Sequence, residues 1–189
     1  MLPGQGAFDI QMKLLFASDL HGSAYWTDLL IKKFLAGNYQ HLVLLGDILY
    51  HGPRNDLPRE YNPKAVVSLL SAVADRIICV RGNCDAEVDQ IVLPFDISSD
   101  YALVYDDAYD IVMHLYHGHN REPKAAPGEF IISGHTHIPL ANDEQGVMHL
   151  NPGSVSIPKN GSPNSYMAYE NGHFTICDFE NNTIMEAGK

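Results

Sequence analysis

The stretch Lys13-Leu14-Leu15-Phe16-Ala17-Ser18-Asp19-Leu20-His21 decides the fold. Lys13 to Ala17 reads as a buried strand, and where it ends the chain places a carboxylate and an imidazole two residues apart. The pattern recurs along the chain. Leu42-Val43-Leu44-Leu45 runs into Gly46-Asp47, Ile77-Ile78-Cys79-Val80 is followed by Gly82-Asn83-Cys84-Asp85, and Ile131-Ile132 leads to Gly134-His135-Thr136-His137. A longer apolar-rich run from Ile111 to Tyr116 ends in His117-Gly118-His119. A sheet that delivers polar side chains from its strand ends to one edge makes a rigid site.

The segments between these clusters set the topology. Gly22-Ser23 opens a helix expected over Ala24 to Ala36 and stopped by Gly37-Asn38, while Asn62-Pro63 is an N-cap and first-turn pair for a second helix through Val66, Leu70 and Val73. Strand, helix, strand, helix, strand requires crossovers and a mostly parallel sheet. Beyond it, short strands are expected at Tyr101 to Tyr105, Asp110 to Tyr116, Glu129 to Ser133, Pro139 to Asn142 and Val147 to Leu150. Tyr166 to Glu170 and His173 to Asp178 flank Asn171-Gly172, a two-residue hairpin turn, and Thr183 to Glu186 adds a last strand. The expectation is an α/β chain of two sheets packed face to face with helices outside.

A chain of 189 residues is expected to form one domain, from residue 12 to 189, preceded by a leader or flexible arm over residues 1–11 that lacks the basic and apolar regions of a secretory signal. No segment is apolar enough to span a membrane, and three cysteines form no CxxC pair, so a reduced, cytoplasmic setting is expected. A net charge of -11 argues against a nucleic-acid or anionic-membrane surface, since both need a basic patch. Small anionic substrates fit better, drawn in by metal ions rather than by a basic surface.

Asp19 and His21, two apart on an extended strand end, would turn to the same side, and His135 and His137 repeat that spacing. Asp47 could bridge two cations, Asn83 offers a neutral carbonyl oxygen and His117 another imidazole. Sharing Asp47 would give each of two cations four protein contacts, with positions left for water and substrate. Only two of these seven residues are anionic, so the site would stay net positive, as phosphoryl transfer requires. More carboxylates would suit calcium, and thiolates structural zinc.

The DxH, GD, GNxD, HGH and GHTH set, in this order, resembles the calcineurin-like metallophosphoesterases. Arg81-Gly82-Asn83-Cys84-Asp85, the segment Gly46 to Asn55 and the segment Asn151 to Lys159 are similar to the small bacterial YfcE-type phosphodiesterases within that family. The resemblance implies a four-layer α/β/β/α sandwich of two packed mixed sheets. It also implies two divalent ions: Asp19, His21 and His137 would hold one, Asn83, His117 and His135 the other, with Asp47 between them. Manganese is the activator the resemblance implies first, with iron, zinc or cobalt as alternatives. The implied reaction is hydrolysis of a small phosphodiester by in-line attack of a metal-bridging hydroxide.

Many relatives carry His where this chain has Cys84, oriented by the residue corresponding to Asp85. A neutral thiol offers a phosphate little, so leaving groups that need little protonation should do best. Asp47, His119, Cys84 and Asp85 are the candidate catalytic residues, and Asn83, Arg54 and Arg81 the candidates for substrate contact. Arg81 could equally pair with Asp85 or Glu87, His119 could support the site from behind, and Asn83 could be a turn residue. His114 is expected to be structural, and His41 and His173 to lie at the surface. A phosphomonoesterase and an idle scaffold of the same fold are the alternative readings, and strand edges in the β-rich half could pair between subunits.

Overall fold

Successive residues of the first strand enter two different cores. In the computed structural model of the chain, which describes residues 11–188, β1 (Lys13–Ala17) contributes Leu15 and Ala17 to a core shared with helices α1 (Ala24–Ala36) and α2 (Pro63–Ser71). Its Leu14 and Phe16 enter a second core that lies between two sheets. β2 (His41–Leu44) divides in the same way, with Leu42 and Leu44 on the helix side and Val43 opposite. Near-continuous apolar runs are what a strand buried on both faces requires.

The helices start where side chains can cap them. Ser23 accepts the Trp26 N–H at 3.4 Å, and Asn62 accepts that of Ala65 at 3.1 Å with Pro63 in the first turn. α1 has the expected bounds. α2 stops at Ser71, short of Val73, because the chain tightens into a 3-10 turn at Ala74–Arg76 before β3 (Ile77–Cys79), yet Val73 stays buried.

The remaining strands are β4 (Tyr101–Asp106), β5 (Ile111–Tyr116), β6 (Phe130–Ile132), β7 (Pro139–Glu144), β8 (Val147–Pro152), β9 (Ser165–Glu170), β10 (His173–Asp178) and β11 (Thr183–Gly188). They complete two mixed sheets, of order β11-β10-β9-β1-β2-β3 and β4-β5-β6-β8-β7. β1, β2 and β3 are parallel, as are β5, β6 and β8. The β9–β10 hairpin turns on Asn171 and Gly172 at φ 55° and 77°, the left-handed pair such a turn demands.

Two packed mixed sheets are thus present. Helical cover, expected on both outer faces, lies over the six-stranded sheet. The outer face of the five-stranded sheet carries no helix among the described residues, and Tyr101, Leu103 and Tyr105 of β4 stand exposed there. The physical reason is connectivity: the β5-to-β6 crossover consists of the His117-Gly118-His119 cluster and a loop interrupted by Pro123 and Pro127, which a helix would not accept. The leader expected over residues 1–11 falls outside the described residues except for Gln11, whose carbonyl accepts the Gln40 amide at 3.2 Å.

Candidate metal centre

The polar clusters follow β1, β2, β3, β5 and β6, and their loops are stitched to one another. Asp19 N–H donates to Gly46 O at 3.1 Å, His21 N–H to Asp47 O at 2.9 Å and Gly134 N–H to His117 O at 2.9 Å. The backbone here is not the extended one expected from the sequence. Asp19, His21, Asp47, His135 and His137 all have positive φ, between 47° and 66°. The same-side placement of Asp19 with His21 therefore comes from left-handed turns, not from the pleat of a strand. Non-glycine residues held this way concentrate where function over-determines the backbone. Gly82 follows from the same crowding: a Cβ there would run into the Asp47 carboxylate and backbone N–H.

Three buried imidazoles are oriented alike. The Nδ1 of His21 meets Tyr50 O at 2.7 Å, that of His117 meets Leu45 O at 2.6 Å and that of His137 meets Ile157 O at 2.5 Å. A carbonyl only accepts, so each Nδ1 carries a hydrogen and a neutral ring presents the lone pair of Nε2 to the site. The His21 and His137 Nε2 atoms are 3.2 Å apart and lie 3.6 Å and 3.3 Å from Asp19 Oδ1. Asp47 Oδ2 lies 3.7 Å from His21 Nε2 and 3.5 Å from His117 Nε2, between the two groups. Asp19 Oδ1 is buried without a hydrogen-bond donor. An orphaned carboxylate oxygen facing imidazole lone pairs is what a cation would satisfy, so the donors fit divalent metal. Candidate metal-holding trios, with ligand atoms within 4.8 Å of one another, are Asp19, His21 and His137; Asp19, Asp47 and His117; and His21, Asp47 and Cys84.

Asn83 is brought to the second group, its Oδ1 3.1 Å from His117 Nε2. His135 stands beside it, with its ring centroid 5.1 Å from that of His117 and its N–H donating to Asp19 Oδ2 at 3.0 Å. His119 is exposed at the rim, its ring centroid 5.3 Å from His117 and 6.2 Å from His135. Cys84 lines the cleft and donates its N–H to Asp47 Oδ1 at 2.8 Å.

Asp85 orients no side chain. Its carboxylate is buried and accepts the N–H groups of Asp47, Ile48 and Gly82 at 2.9, 2.8 and 2.8 Å, which ties the loop after β2 to the loop after β3. Arg81 turns away from the cleft and donates to the Asp85 backbone carbonyl at 3.4 Å, forming neither of the carboxylate pairs considered for it. Arg54 does line the cleft, a space of about 300 Å³, and Lys159 joins it there. His114 is buried between Tyr101 Oη and Glu129 Oε2, each at 2.8 Å, and belongs to none of the candidate donor trios.

The segment Asn151 to Lys159 underlies the site in a way the sequence did not disclose. Ser154 Oγ and Ser156 Oγ both donate to Asp19 O, at 2.9 and 3.0 Å, and hold its left-handed turn. Asn151 Nδ2 donates to Gly134 O at 2.7 Å and to Thr136 Oγ1 at 3.1 Å, securing the loop that carries His135 and His137. The signal for these supports was only the segment's resemblance to a subgroup; nothing local in it points to Asp19.

Charge compensation dominates the ionisation. Burial works against charge on both carboxylates, but His137 and His21 hold Asp19 well below the usual carboxylate range, and His117 holds Asp47 down. Burial likewise disfavours protonated His117, yet Asp47 and Asp19 outweigh it and carry its pKa up to about 9. Burial and the neighbouring His117 lower both His119 and His135. Burial, with Asp47 next, pushes the Cys84 thiol up to about 12. For Asp85, burial raises the carboxyl while its three N–H donors oppose the rise.

Two packed mixed sheets gather carboxylate, amide and imidazole donors at their strand ends, a donor set that suits divalent metal and the class of metal-assisted hydrolases. The chain belongs to the calcineurin-like phosphoesterase superfamily, whose domain matches residues 12–172. It is 42% identical over 178 residues to phosphodiesterase YfcE of Escherichia coli strain K12, covering 92% of this chain and 96% of that protein. The solved structure of YfcE, described as a phosphoesterase from E. coli, superposes with a TM-score of 0.90 at 41% identity, covering 94% of this chain and 99% of that one. Vacuolar protein sorting 29 from Cryptosporidium parvum shares the fold at a TM-score of 0.62 and 18% identity, covering 96% of this chain and 100% of that one.

Proposed function

We propose that the chain is a cytoplasmic phosphodiesterase acting on small phosphodiesters with two divalent ions, manganese first among them. The observation that carries this is the commitment of three buried imidazole Nδ1 atoms to backbone carbonyls, which aims their Nε2 atoms at Asp19 and Asp47. Asp19, His21 and His137 would hold one ion, Asn83, His117 and His135 the other, and Asp47 would serve both. Bound there, the ions supply Lewis acidity that lowers the pKa of water and offsets charge on the phosphoryl oxygens.

The chain's own residues do the rest. Asp47 has one carboxylate oxygen fixed by the Cys84 N–H, so the other is presented in a single orientation between the two groups. Asp85 holds the backbone on which Asp47 and Asn83 sit, a positioning role in place of the catalytic one considered from sequence. His119, neutral near pH 7 and at the rim, can accept a proton from water or hydrogen-bond an ester oxygen, but is a weak acid for a leaving alkoxide. Cys84, a neutral thiol, adds no charge to the cleft. Substrates whose leaving group is stable as an anion should turn over fastest.

The test is hydrolysis of bis-p-nitrophenyl phosphate by metal-stripped protein with manganese restored, beside Asp47→Asn. Activity that returns with manganese and is lost in the variant supports the reading. Full activity and full metal content in Asp47→Asn would remove Asp47 from its shared position.

A further inference from the structure

Arg54 and Lys159 reach the same cleft from different loops, and neither is used up by the protein. Several other cations have partners: Lys13 pairs with Glu170 at 3.1 Å, Lys32 pairs with Asp28, Arg59 and Arg76 lie over the rings of Tyr25 and Phe34, and Arg81 caps a carbonyl. Among the described residues, the Arg54 guanidinium and the Lys159 ammonium meet no carboxylate and no carbonyl, although the chain carries 23 acidic residues against 12 basic ones. Two unneutralised cations lining the cleft that holds the metal donors attract an anion from outside.

The scissile phosphate does not account for both. A phosphodiester has a single negative charge, and the site proposed to hold two divalent ions already exceeds the charge of Asp19 and Asp47. Both cations also come from loops tied to imidazole-bearing residues of the site. Arg54 follows Tyr50, whose carbonyl fixes His21, and Lys159 follows Ile157, whose carbonyl fixes His137; the Lys159 N–H itself donates to His137 O at 3.2 Å. They thus enter the cleft on loops tied to His21 and His137, and the Arg54 loop also packs on Cys84, whose Sγ would lie 3.2 Å from a Cβ at Gly52.

We infer that Arg54 and Lys159 form a second anion subsite, and that the substrate is a phosphodiester bearing a carboxylate or a further phosphate on one of its two alcohols. The inference rests on the phosphodiesterase reading. Arg54 offers a planar fork that suits either group, and Lys159 a point charge that adds attraction without geometry.

The experiment compares three p-nitrophenyl phosphodiesters, made with butanol, 4-hydroxybutanoate and 3-hydroxypropylphosphonate, on the manganese-loaded protein, Arg54→Gln, Lys159→Met and the double variant. In each, water adds at phosphorus and p-nitrophenolate leaves. The two anionic esters should surpass the butyl ester in kcat/KM by about tenfold, chiefly through KM, and the advantage should shrink toward unity in the double variant and at high salt. The carboxylate and phosphonate arms show which anion is preferred. No advantage in the wild-type protein, an advantage that survives both substitutions, or an equal loss on all three esters would each overturn the subsite; the last would place both cations on the scissile phosphate. Binding of the non-hydrolysable methylphosphonate monoesters of the same alcohols, followed by calorimetry, keeps the outcomes separate. Selective binding of the anionic monoesters without turnover of any ester would sink the phosphodiesterase reading and leave the subsite standing.

Discussion

The Nε2 atoms of His21 and His137 face each other at 3.2 Å, while the Nδ1 of each ring is held by a backbone carbonyl. Two neutral rings in that arrangement would oppose lone pair to lone pair. The pair is stable only with a proton shared between them or a cation in front of them, and Asp19 Oδ1, buried without a donor, supplies the counter-charge for either. Metal and protons therefore compete for one set of atoms.

That competition predicts the pH dependence of metal binding. In the metal-free protein Asp47 and Asp19, acting against burial, carry His117 up to about 9, so at pH 7 an incoming ion must displace its proton. Affinity should rise by about tenfold per pH unit for each proton displaced and level off above about 9. A chelator competition series from pH 6.5 to pH 10 would measure it. The stability of the metal-free protein should move the other way. A folded pKa above the unfolded value of about 6.5 contributes stability that is complete below 6.5 and disappears as pH rises through about 9. Metal affinity independent of pH would show that His117 carries no proton to displace.

Asp85→Asn should destabilise the protein by on the order of 2–4 kcal/mol, because an amide nitrogen would face N–H groups that the carboxylate now accepts. Urea denaturation gives the loss directly. Since Asp85 positions backbone and does not exchange protons with substrate, the residual activity should keep the wild-type pH profile. A changed profile without a stability loss would reverse that assignment.

The strands and helices were legible because their signals are local. Apolar runs of strand length, the Ser23 and Asn62 caps and the Asn171-Gly172 turn each act within a few residues, and the observed bounds differ from the expected ones by a residue or two. The metal-donor residues were legible as types in order. Their backbone was not: D-x-H spacing on an extended strand gives the same proximity as two left-handed turns, and the latter are held by long-range contacts, the bonds of Asp19 and His21 to the loop after β2 and the grip of Ser154 and Ser156 on Asp19. The same holds for Asp85 and Arg81, whose roles depend on which loop lies across from them. The Lys159 side chain reaches the cleft because of where residues 151–158 run, which no local pattern records.

The two serines beneath Asp19 should not be equivalent. Ser156 Oγ donates to Asp19 O and its loss leaves Ser154 on the same carbonyl, so Ser156→Ala should cost about 1 kcal/mol. Ser154 Oγ also accepts the N–H groups of Ser156 and Ile157, at 3.2 and 2.9 Å, and the Ile157 carbonyl is the one that orients His137. Ser154→Ala should therefore cost about 2–3 kcal/mol and weaken metal binding as well. Denaturation and metal titration of the two variants side by side decide it; equal losses would mean that the carbonyl contact is the whole effect.

Cys84 should be chemically quiet despite its place in the cleft. Burial first, and Asp47 second, push its thiol up to about 12, and burial raises Cys79 and Cys177 as well. At pH 8 about one Cys84 in ten thousand would be ionised, against roughly a quarter of a free cysteine with its pKa of about 8.5. Alkylation of the metal-stripped protein by iodoacetamide, followed by mass spectrometry, should label Cys84 more than about a hundredfold more slowly than free cysteine, with the rate still climbing above pH 10. The same neutrality keeps the cleft electropositive when metal is bound, since a thiolate at this position would add an anion beside Asp47 and oppose an incoming phosphate. A labelling rate close to that of free cysteine would reveal a stabilised thiolate, and the charge balance that favours an anionic substrate would no longer hold.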